Sequence, residues 1–267
     1  MGLPALSTSE ASIFADFVRV DPNVFAFDAA DTLASTLDLR GSVDLASALG
    51  SLAKVVRPEG RETTPVDVLR DEVRTRSATI RGFVERPFVR VHVGRHAVPT
   101  VEELFEGLTD VGALASSTAR LPVAFARSIA RDFVRPITYA IDEARAGFDA
   151  LRRDLAEDLS SFGDRAARLV LLDGLLRAAR RTHASALFAR LPQLIEREFG
   201  DAFAVAHRAL LRADVAPKDV VVAWYAPEGF VGACLARSRR LAIAVFEHER
   251  TSLEKLVEAA CEGAESP

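Results

Sequence analysis

Histidine side chains are the first place to look for chemistry in this sequence, because imidazole binds metals and titrates near neutral pH. His92 and His96 stand four residues apart, a spacing that places both rings on one side of a helix or of a strand, and they are the candidate metal ligands. No carboxylate stands beside the pair, and no HExxH pattern occurs in the chain. The pattern therefore favours a surface segment over a metal site, and no cofactor is expected.

The other histidines are interpreted as structural. His183 falls on an apolar helical arc that includes Leu176, with Arg177 on the opposite side. A lone histidine on such an arc is more often a satisfied core residue than a catalyst. His207 and His248 lie in helical segments without a serine, cysteine or acid motif that would complete a nucleophile and its base.

The motifs of the common enzyme classes are missing from the sequence. It has neither a GxxxxGK phosphate-binding loop nor a strand-linked GxGxxG, and it lacks the kinase, hydrolase and deaminase signatures. Cys234 and Cys261 form no CxxC pair, which argues against a disulfide framework or a zinc knuckle and fits a reducing cytoplasm. We therefore expect a protein that is not an enzyme. A metal-dependent enzyme that uses His92 and His96 is the alternative.

Composition limits the class of protein. The chain has 267 residues, of which 49% are hydrophobic and 27% charged, and its formal net charge of −4 gives no general affinity for nucleic acid. The longest apolar run, Val220 to Ala226, is too short to cross a membrane. The N-terminus lacks the basic start and apolar core of a secretory signal. These features predict a cytoplasmic protein without direct membrane insertion.

The elements that must position any site are predicted to be helices. Apolar residues recur at three- and four-residue spacing along most of the chain, which indicates an all-α fold, a multi-helix bundle with a long antiparallel helical hairpin. The alternating segment at residues 86–98 allows at most one short β-hairpin. Pro122, Pro136 and Pro192 are predicted to mark helix boundaries or kinks, with Pro192 as a break between two packed helices.

Turn-forming residues divide the chain into five predicted segments. Thr64 and Pro65 suit the cap and first position of a helix, and Thr100 followed by Glu103 is the pattern of a capping box. The segments are an N-terminal helical subdomain at 1–57, a linker at 58–65, a middle helical segment at 66–118, the long hairpin at 119–212, and C-terminal helices with an acidic tail at 213–267.

Charge is distributed unevenly along the predicted hairpin. Residues 142–164 carry seven acids and three arginines, whereas residues 165–190 carry six arginines and one acid, Asp173. If Ser160 to Asp164 turns the chain, the two helices lie antiparallel with opposite charges facing each other. The alternative is that the basic half contacts an acidic partner.

Most of the chain also resembles a known family. The stretches "FVRPITYAIDEARAGFDALRRDL" and "RAARLVLLDGLLRAARRTHASALFARLPQLIEREF", within residues 133–199, resemble a bacterial helical family catalogued as domain of unknown function 3348. A run of the type "ARLAALDAVL…ERALLARVPALLERRF" is characteristic of that family. Residues 37–49 are similar to its N-terminal segment, with the family's tryptophans replaced, and residues 224–259 are similar to its ending. The positions that correspond to the characteristic run are Leu169, Asp173, Leu176, Leu187, Leu191, Pro192, Leu194, Ile195 and Phe199.

The resemblance implies a cellular context rather than a reaction. Members of the family are often encoded beside an inner-membrane proton-channel protein of the MotA/TolQ/ExbB type and an OmpA-like peptidoglycan-binding partner. A related component, ZorF, belongs to one type of the Zorya anti-phage system. The implied function is that of a cytoplasmic accessory protein, held at the inner membrane through a protein partner of a proton-driven complex.

Arginines on helix faces are the predicted contacts with that protein partner. A nucleic-acid-binding effector that uses the same faces is the alternative, although neither cluster has the stacking aromatic residues or the helix-turn-helix context that would favour it. Assembly of several copies of the chain is left open. The predicted contact residues are Arg177, Arg180, Arg181, Arg239 and Arg240.

Overall fold

The computed structural model describes residues 63–89 and 98–262, together with residues 50, 52 and 54–56, and within this part the side chains of residues 179–190 are left out. This part of the chain is all-α, as predicted, and contains no strand. Its helices are α1 (Val66–Glu85), a short 3₁₀ helix (Arg86–Phe88), α2 (Val101–Asp110), α3 (Val123–Ser160), α4 (Asp164–Leu210), α5 (Pro217–Trp224) and α6 (Phe230–Cys261).

Local signals at the helix ends have mixed outcomes. The predicted capping box is confirmed, because the Thr100 hydroxyl accepts from the Glu103 backbone N–H at 3.1 Å and the Glu103 carboxylate accepts from the Thr100 N–H at 2.7 Å. Thr64 instead donates its hydroxyl proton to Asp158 at 3.1 Å. The start of the strand-like segment forms the 3₁₀ helix Arg86–Phe88, and residues 90–97, with the rest of the possible β-hairpin, lie outside the described residues.

Two of the three prolines do not end a helix. Pro122 precedes the first residue of α3, as predicted, but Pro136 lies inside α3 and Pro192 lies inside α4. The predicted break between two helices at Pro192 is therefore wrong. A proline in a helix interior costs about 3 kcal/mol. Burial of Leu191 and Ile195 on either side of Pro192 offsets that cost by packing, which supplies most helix stability in proteins.

The turn between α3 and α4 lies where the sequence predicts it. Helix α3 ends at Ser160, and Gly163, with a φ of +133°, occupies a conformation that other residues rarely adopt. The buried Ser161 hydroxyl donates to the Asp158 carbonyl at 2.6 Å and closes the end of α3. The long hairpin is thus formed by two continuous helices.

The chain divides into two compact units, each built from stretches that are distant in sequence. The first unit takes its described residues from Met1–Gly82, Glu143–Phe188 and Ala244–Pro267. The second unit takes its described residues from Phe83–Asp142 and Ala189–Ile243. Helices α3, α4 and α6 each contribute residues to both units.

Helices of the first unit pack closely through aliphatic and aromatic side chains. The rings of Phe148 on α3 and Phe246 on α6 lie 5.4 Å apart, and both are buried. Gly147 on α3 faces Ile80 of α1, and a Cβ on this glycine would lie 2.8 Å from the Ile80 Cγ1. Helices α1 and α3 therefore approach each other so closely that a side chain at position 147 would require Ile80 to move.

The second unit has an aromatic core. Phe133 stacks on Phe199 at 4.4 Å between ring centroids, and the Trp224 ring meets Phe203 edge-on at 5.9 Å and Phe230 at 5.3 Å. Such pairs contribute about 0.5–1.5 kcal/mol each beyond the burial of their area. Two hydrogen bonds fix the surrounding loops to this core. Buried His207 donates from Nε2 to the Ala113 carbonyl at 2.9 Å, and the Tyr225 hydroxyl donates to the Pro99 carbonyl at 2.8 Å.

Glycines in the connection from α5 to α6 have no room for a side chain. A Cβ on Gly229 would overlap the carbonyl oxygens of Ala223 and Trp224, and one on Gly232 would overlap the carbonyl oxygen of Ala226. These atoms are backbone, so relief would require the connection itself to shift. The backbone of this connection therefore depends on glycine.

We expect Gly229→Ala to lower the free energy of unfolding by about 1–3 kcal/mol, because the added methyl group forces the backbone apart. Gly200→Ala, inside α4 with nothing within 4 Å of its Cβ position, is the matched control. The control should raise stability by up to about 1 kcal/mol through helix propensity. Urea unfolding measures the change in the free energy of unfolding for both variants. Equal changes of the same sign would contradict the steric account.

Both cysteines should react only after unfolding. Cys234 and Cys261 are buried free thiols, and burial raises the pKa of the Cys234 thiol. Because the thiolate is the reactive form, we expect native protein to react with Ellman's reagent at least about tenfold more slowly than protein in guanidinium chloride. A native thiol that reacts as fast as the denatured one would contradict the burial of the cysteines on α6.

Candidate functional site

A cluster of charged side chains lies inside the first unit, where three helices meet. We call it the ion cluster. Arginines and carboxylates from α3, α4 and α6 form it, and the two residues on α3 and the two on α4 are three and four positions apart, so that each pair shares one face of its helix. Its members are Asp149 and Arg152 of α3, Asp173 and Arg177 of α4, and Glu249 of α6.

Arg152 is the central residue of the ion cluster. Its Nη1 donates to the Glu249 Oε2 at 2.9 Å, and its Nη2 donates to the Ser252 hydroxyl at 2.8 Å. Its Nε lies 3.4 Å from the Asp173 Oδ2, an ion pair without hydrogen-bond geometry. The guanidinium of α3 is thus bound to α4 on one side and to α6 on the other.

Arg177 makes the second set of contacts in the ion cluster. Its Nη2 donates to the Asp149 carboxylate and lies 3.6 Å from the Glu249 Oε2. Asp149 of α3 pairs with Arg177 of α4, and Arg152, three residues later on α3, pairs with Asp173, four residues earlier on α4. The ion pairs therefore join antiparallel helices, as the charge distribution of the hairpin predicts.

The ion cluster is largely shielded from water. Only 7% of the Arg152 side chain and 16% of the Arg177 side chain are exposed. Burial lowers the pKa of the Arg152 guanidinium, and the nearby charge of Arg177 lowers it further, while Asp173 and Glu249 raise it. The carboxylates thus compensate two like charges that would otherwise repel each other in a poorly solvated place.

This arrangement holds helices together rather than moving protons. A guanidinium stays charged at the pH values at which proteins fold, so neither arginine is an acid or a base in catalysis. Two arginines and three carboxylates give the ion cluster a formal charge of +2 − 3 = −1. The direct chemical consequence is a fixed register among α3, α4 and α6 in the first unit.

Removing the central cation should destabilise the protein. We expect Arg152→Met, which keeps the length of the side chain, to lower the free energy of unfolding by about 3–5 kcal/mol at pH 7, because buried carboxylates lose their partner. Urea unfolding at pH 7 measures the effect.

Arg74→Met is the control for the ion cluster. Arg74 is 79% exposed, and among the described residues its ion pair is with Asp71 of its own helix, so its loss should cost less than about 1 kcal/mol. A loss at Arg152 no larger than that at Arg74 would contradict the structural role of the cluster.

The structure places the predicted contact arginines in different environments. The prediction that Arg177 faces solvent is wrong, because the side of α4 that carries it contacts the acids of α3 and α6 instead of water. Arg239, 56% exposed, lies 3.2 Å from the Glu85 carboxylate, and Arg240 is exposed. The side chains of Arg180 and Arg181 lie outside the described residues. A contact with a partner stays a prediction for Arg180, Arg181, Arg239 and Arg240.

The candidate metal ligands His92 and His96 lie outside the described residues, as does the His183 side chain. In the part of the chain that is described, no group of three or more histidine, cysteine, aspartate or glutamate side chains could hold a metal ion. His207 is buried, as a structural histidine should be, and it fixes the residues after α2 through Ala113.

An exposed row of arginines on α3 was missed in the sequence. Arg127, Arg131 and Arg135 are spaced four residues apart on the second unit, and we call them the arginine stripe. Arg131 is 63% exposed and lies 3.7 Å from Glu196, and Arg135 is 61% exposed and pairs with Asp132 at 2.9 Å. The helical spacing in "ARSIARDFVR" is the signal that could have revealed it.

Comparisons with known proteins add no relative to this geometry. Neither a family model, nor a curated protein, nor a solved structure matches the chain. The similarity to the bacterial helical family therefore stays a prediction from the residues. Within the described ranges, no helix combines the length and apolar character needed to cross a bilayer.

Proposed function

We propose that the protein is a non-enzymatic accessory protein that binds the cytoplasmic part of a proton-driven inner-membrane complex of the MotA/TolQ/ExbB type, in the setting of anti-phage defence. The family resemblance supports the partner class. An all-helical scaffold, with charges inside that fix its helices, suits a protein whose task is to present a binding surface.

The observation that carries the binding surface is the exposure of Arg239 and Arg240 on α6. They are consecutive residues, and both are exposed to solvent. Arg239 has a surface ion pair with Glu85, and such pairs contribute at most about 1 kcal/mol, so a partner carboxylate can replace Glu85. Arg240 takes part in no ion pair among the described residues.

An acidic protein surface is the partner that these residues fit. Guanidinium groups bind carboxylates in a two-pronged geometry and keep their charge at every physiological pH. Complementary charge also accelerates encounter, which makes the association sensitive to salt. Arg177 is removed from the contact set, because its guanidinium already binds Asp149 inside the first unit.

Charge reversal tests this surface. Arg239→Glu with Arg240→Glu should reduce capture of a detergent-solubilised proton-channel complex of the MotA/TolQ/ExbB type by about tenfold or more at moderate salt, because attraction to an acidic surface becomes repulsion. The matched control is Arg70→Glu with Arg74→Glu on α1, which reverses two exposed arginines whose described ion pairs stay within α1. The readout is the amount of channel protein retained on the immobilised full chain.

The outcomes separate the proposal from its details. Loss of capture with the α6 variant alone supports the proposed surface. Equal capture by both variants would reject Arg239 and Arg240 as contacts, and failure of the wild-type chain to retain the channel would reject the proposed partner. Circular dichroism of each variant checks that the helices are intact.

A further inference from the structure

A second charged row lies on α2, beside the arginine stripe. Glu102, Glu106 and Asp110 are spaced four residues apart and are exposed, and we call them the acidic stripe. The acidic and arginine stripes have equal length, since three residues at this spacing span about 12 Å along a helix axis. Both belong to the second unit.

Helices α2 and α3 lie side by side and run in opposite directions. A Cβ on Gly107 would lie 3.0 Å from the Phe125 ring, so these two points of the helices touch. Burial raises the pKa of the Asp132 carboxyl, and the charges of Arg135 and Arg131 lower it. The charge of Glu103 also raises this pKa, because Glu103 lies near Asp132. As the position on α2 rises from 103 to 107, the nearby position on α3 falls from 132 to 125, so the two helices are antiparallel.

Both stripes face away from the core of the unit. Helix α2 buries Leu104 and Leu108, and at about 100° per residue the acidic stripe lies on the opposite side of the helix. Helix α3 buries Ile129 and Phe133, and the arginine stripe is likewise on the opposite side. The surface thus presents a negative row and a positive row next to each other.

We propose that a second copy of this chain covers this surface, with the acidic stripe of each copy on the arginine stripe of the other. A twofold axis between α2 and α3, parallel to both, brings α2 of one copy over α3 of its partner and closes the pair. An axis parallel to the helices keeps each residue at its own level, so Glu102 of one copy lies between the levels of Arg131 and Arg135 of the other, and Glu106 lies near the level of Arg127. Asp110 lies beyond Arg127, and opposite charges meet over the rest of the two stripes.

Charge complementarity favours a second copy over other occupants. Nucleic acid or an anionic membrane would meet the acidic stripe as well as the arginine stripe, and like charges repel. The existing contacts of Arg131 with Glu196 and of Arg135 with Asp132 are surface ion pairs, which are weak enough to be shared or exchanged. In the described part of the chain, no ion pair uses Glu106, Asp110 or Arg127.

Sedimentation velocity of the full chain tests the proposal without a mutation. The wild-type protein should form dimers at low ionic strength, and raising the salt from about 50 mM to about 500 mM should weaken their association at least about tenfold, because salt screens exposed pairs. A wild-type chain that stays monomeric at all concentrations, or a dimer that ignores salt, would overturn it.

Two charge-reversed variants provide the sharper test. The first is Arg127→Glu, Arg131→Glu and Arg135→Glu, and the second is Glu102→Arg, Glu106→Arg and Asp110→Arg. Each variant alone should be monomeric, since both of its rows have the same sign. An equimolar mixture should form heterodimers, because the two negative rows of the first variant then meet the two positive rows of the second.

The mixture also controls for folding. Restored dimers show that both variants fold and that the stripes meet each other. Variants that dimerise alone as well as the wild type would overturn the proposal, and so would a mixture of folded variants that stays monomeric. Helix content by circular dichroism identifies folded variants. This inference is independent of the proposed channel partner, and purified chain suffices to test it.

Discussion

The first unit depends on the burial of one guanidinium group. Arg152 is 7% exposed, so its charge must be compensated by carboxylates that the fold brings to it. One carboxylate comes from α4 and one from α6, and Ser252 satisfies a further N–H. Three helices are thereby fixed against one another by a group that tolerates little displacement. Apolar packing such as that between Phe148 and Phe246 supplies the burial, and the ion cluster selects the register.

Arginines in this chain have two roles, which depend on what faces them. On the inner side of the hairpin, Arg177 is compensated by carboxylates of two other helices. On the outer side of the second unit, Arg131 and Arg135 are more than half exposed, so their ion pairs are weak and open to exchange. The strong internal pairs maintain the scaffold, and the exposed arginines are available for recognition. A protein with mixed surface charge can therefore present selective rows without a large net charge.

Sequence periodicity predicts the helices but not which of them meet. The all-α class, the capping box at Thr100 and the charged hairpin follow from spacing within a few turns or from the balance of charge between neighbouring segments. The Glu249 carboxylate is 97 residues from Arg152, so only the tertiary fold brings the two together. The side of α4 that carries Arg177 looks like a solvent face by periodicity, because a single helix does not reveal that acidic partners cover it. Pro192 misleads for the same reason, since the packing around it outweighs its local preference.

A double-mutant cycle between Arg152 and Glu249 tests most directly whether the buried ion cluster holds the helices together. Arg152→Met, Glu249→Gln and the double variant would be compared with the wild-type chain by urea unfolding at pH 7. The account predicts a coupling energy of at least about 1 kcal/mol, because each single change leaves the other charge buried without its partner. Effects that add to within about 0.5 kcal/mol would contradict it, since they would mean that α3 and α6 keep their positions without this contact.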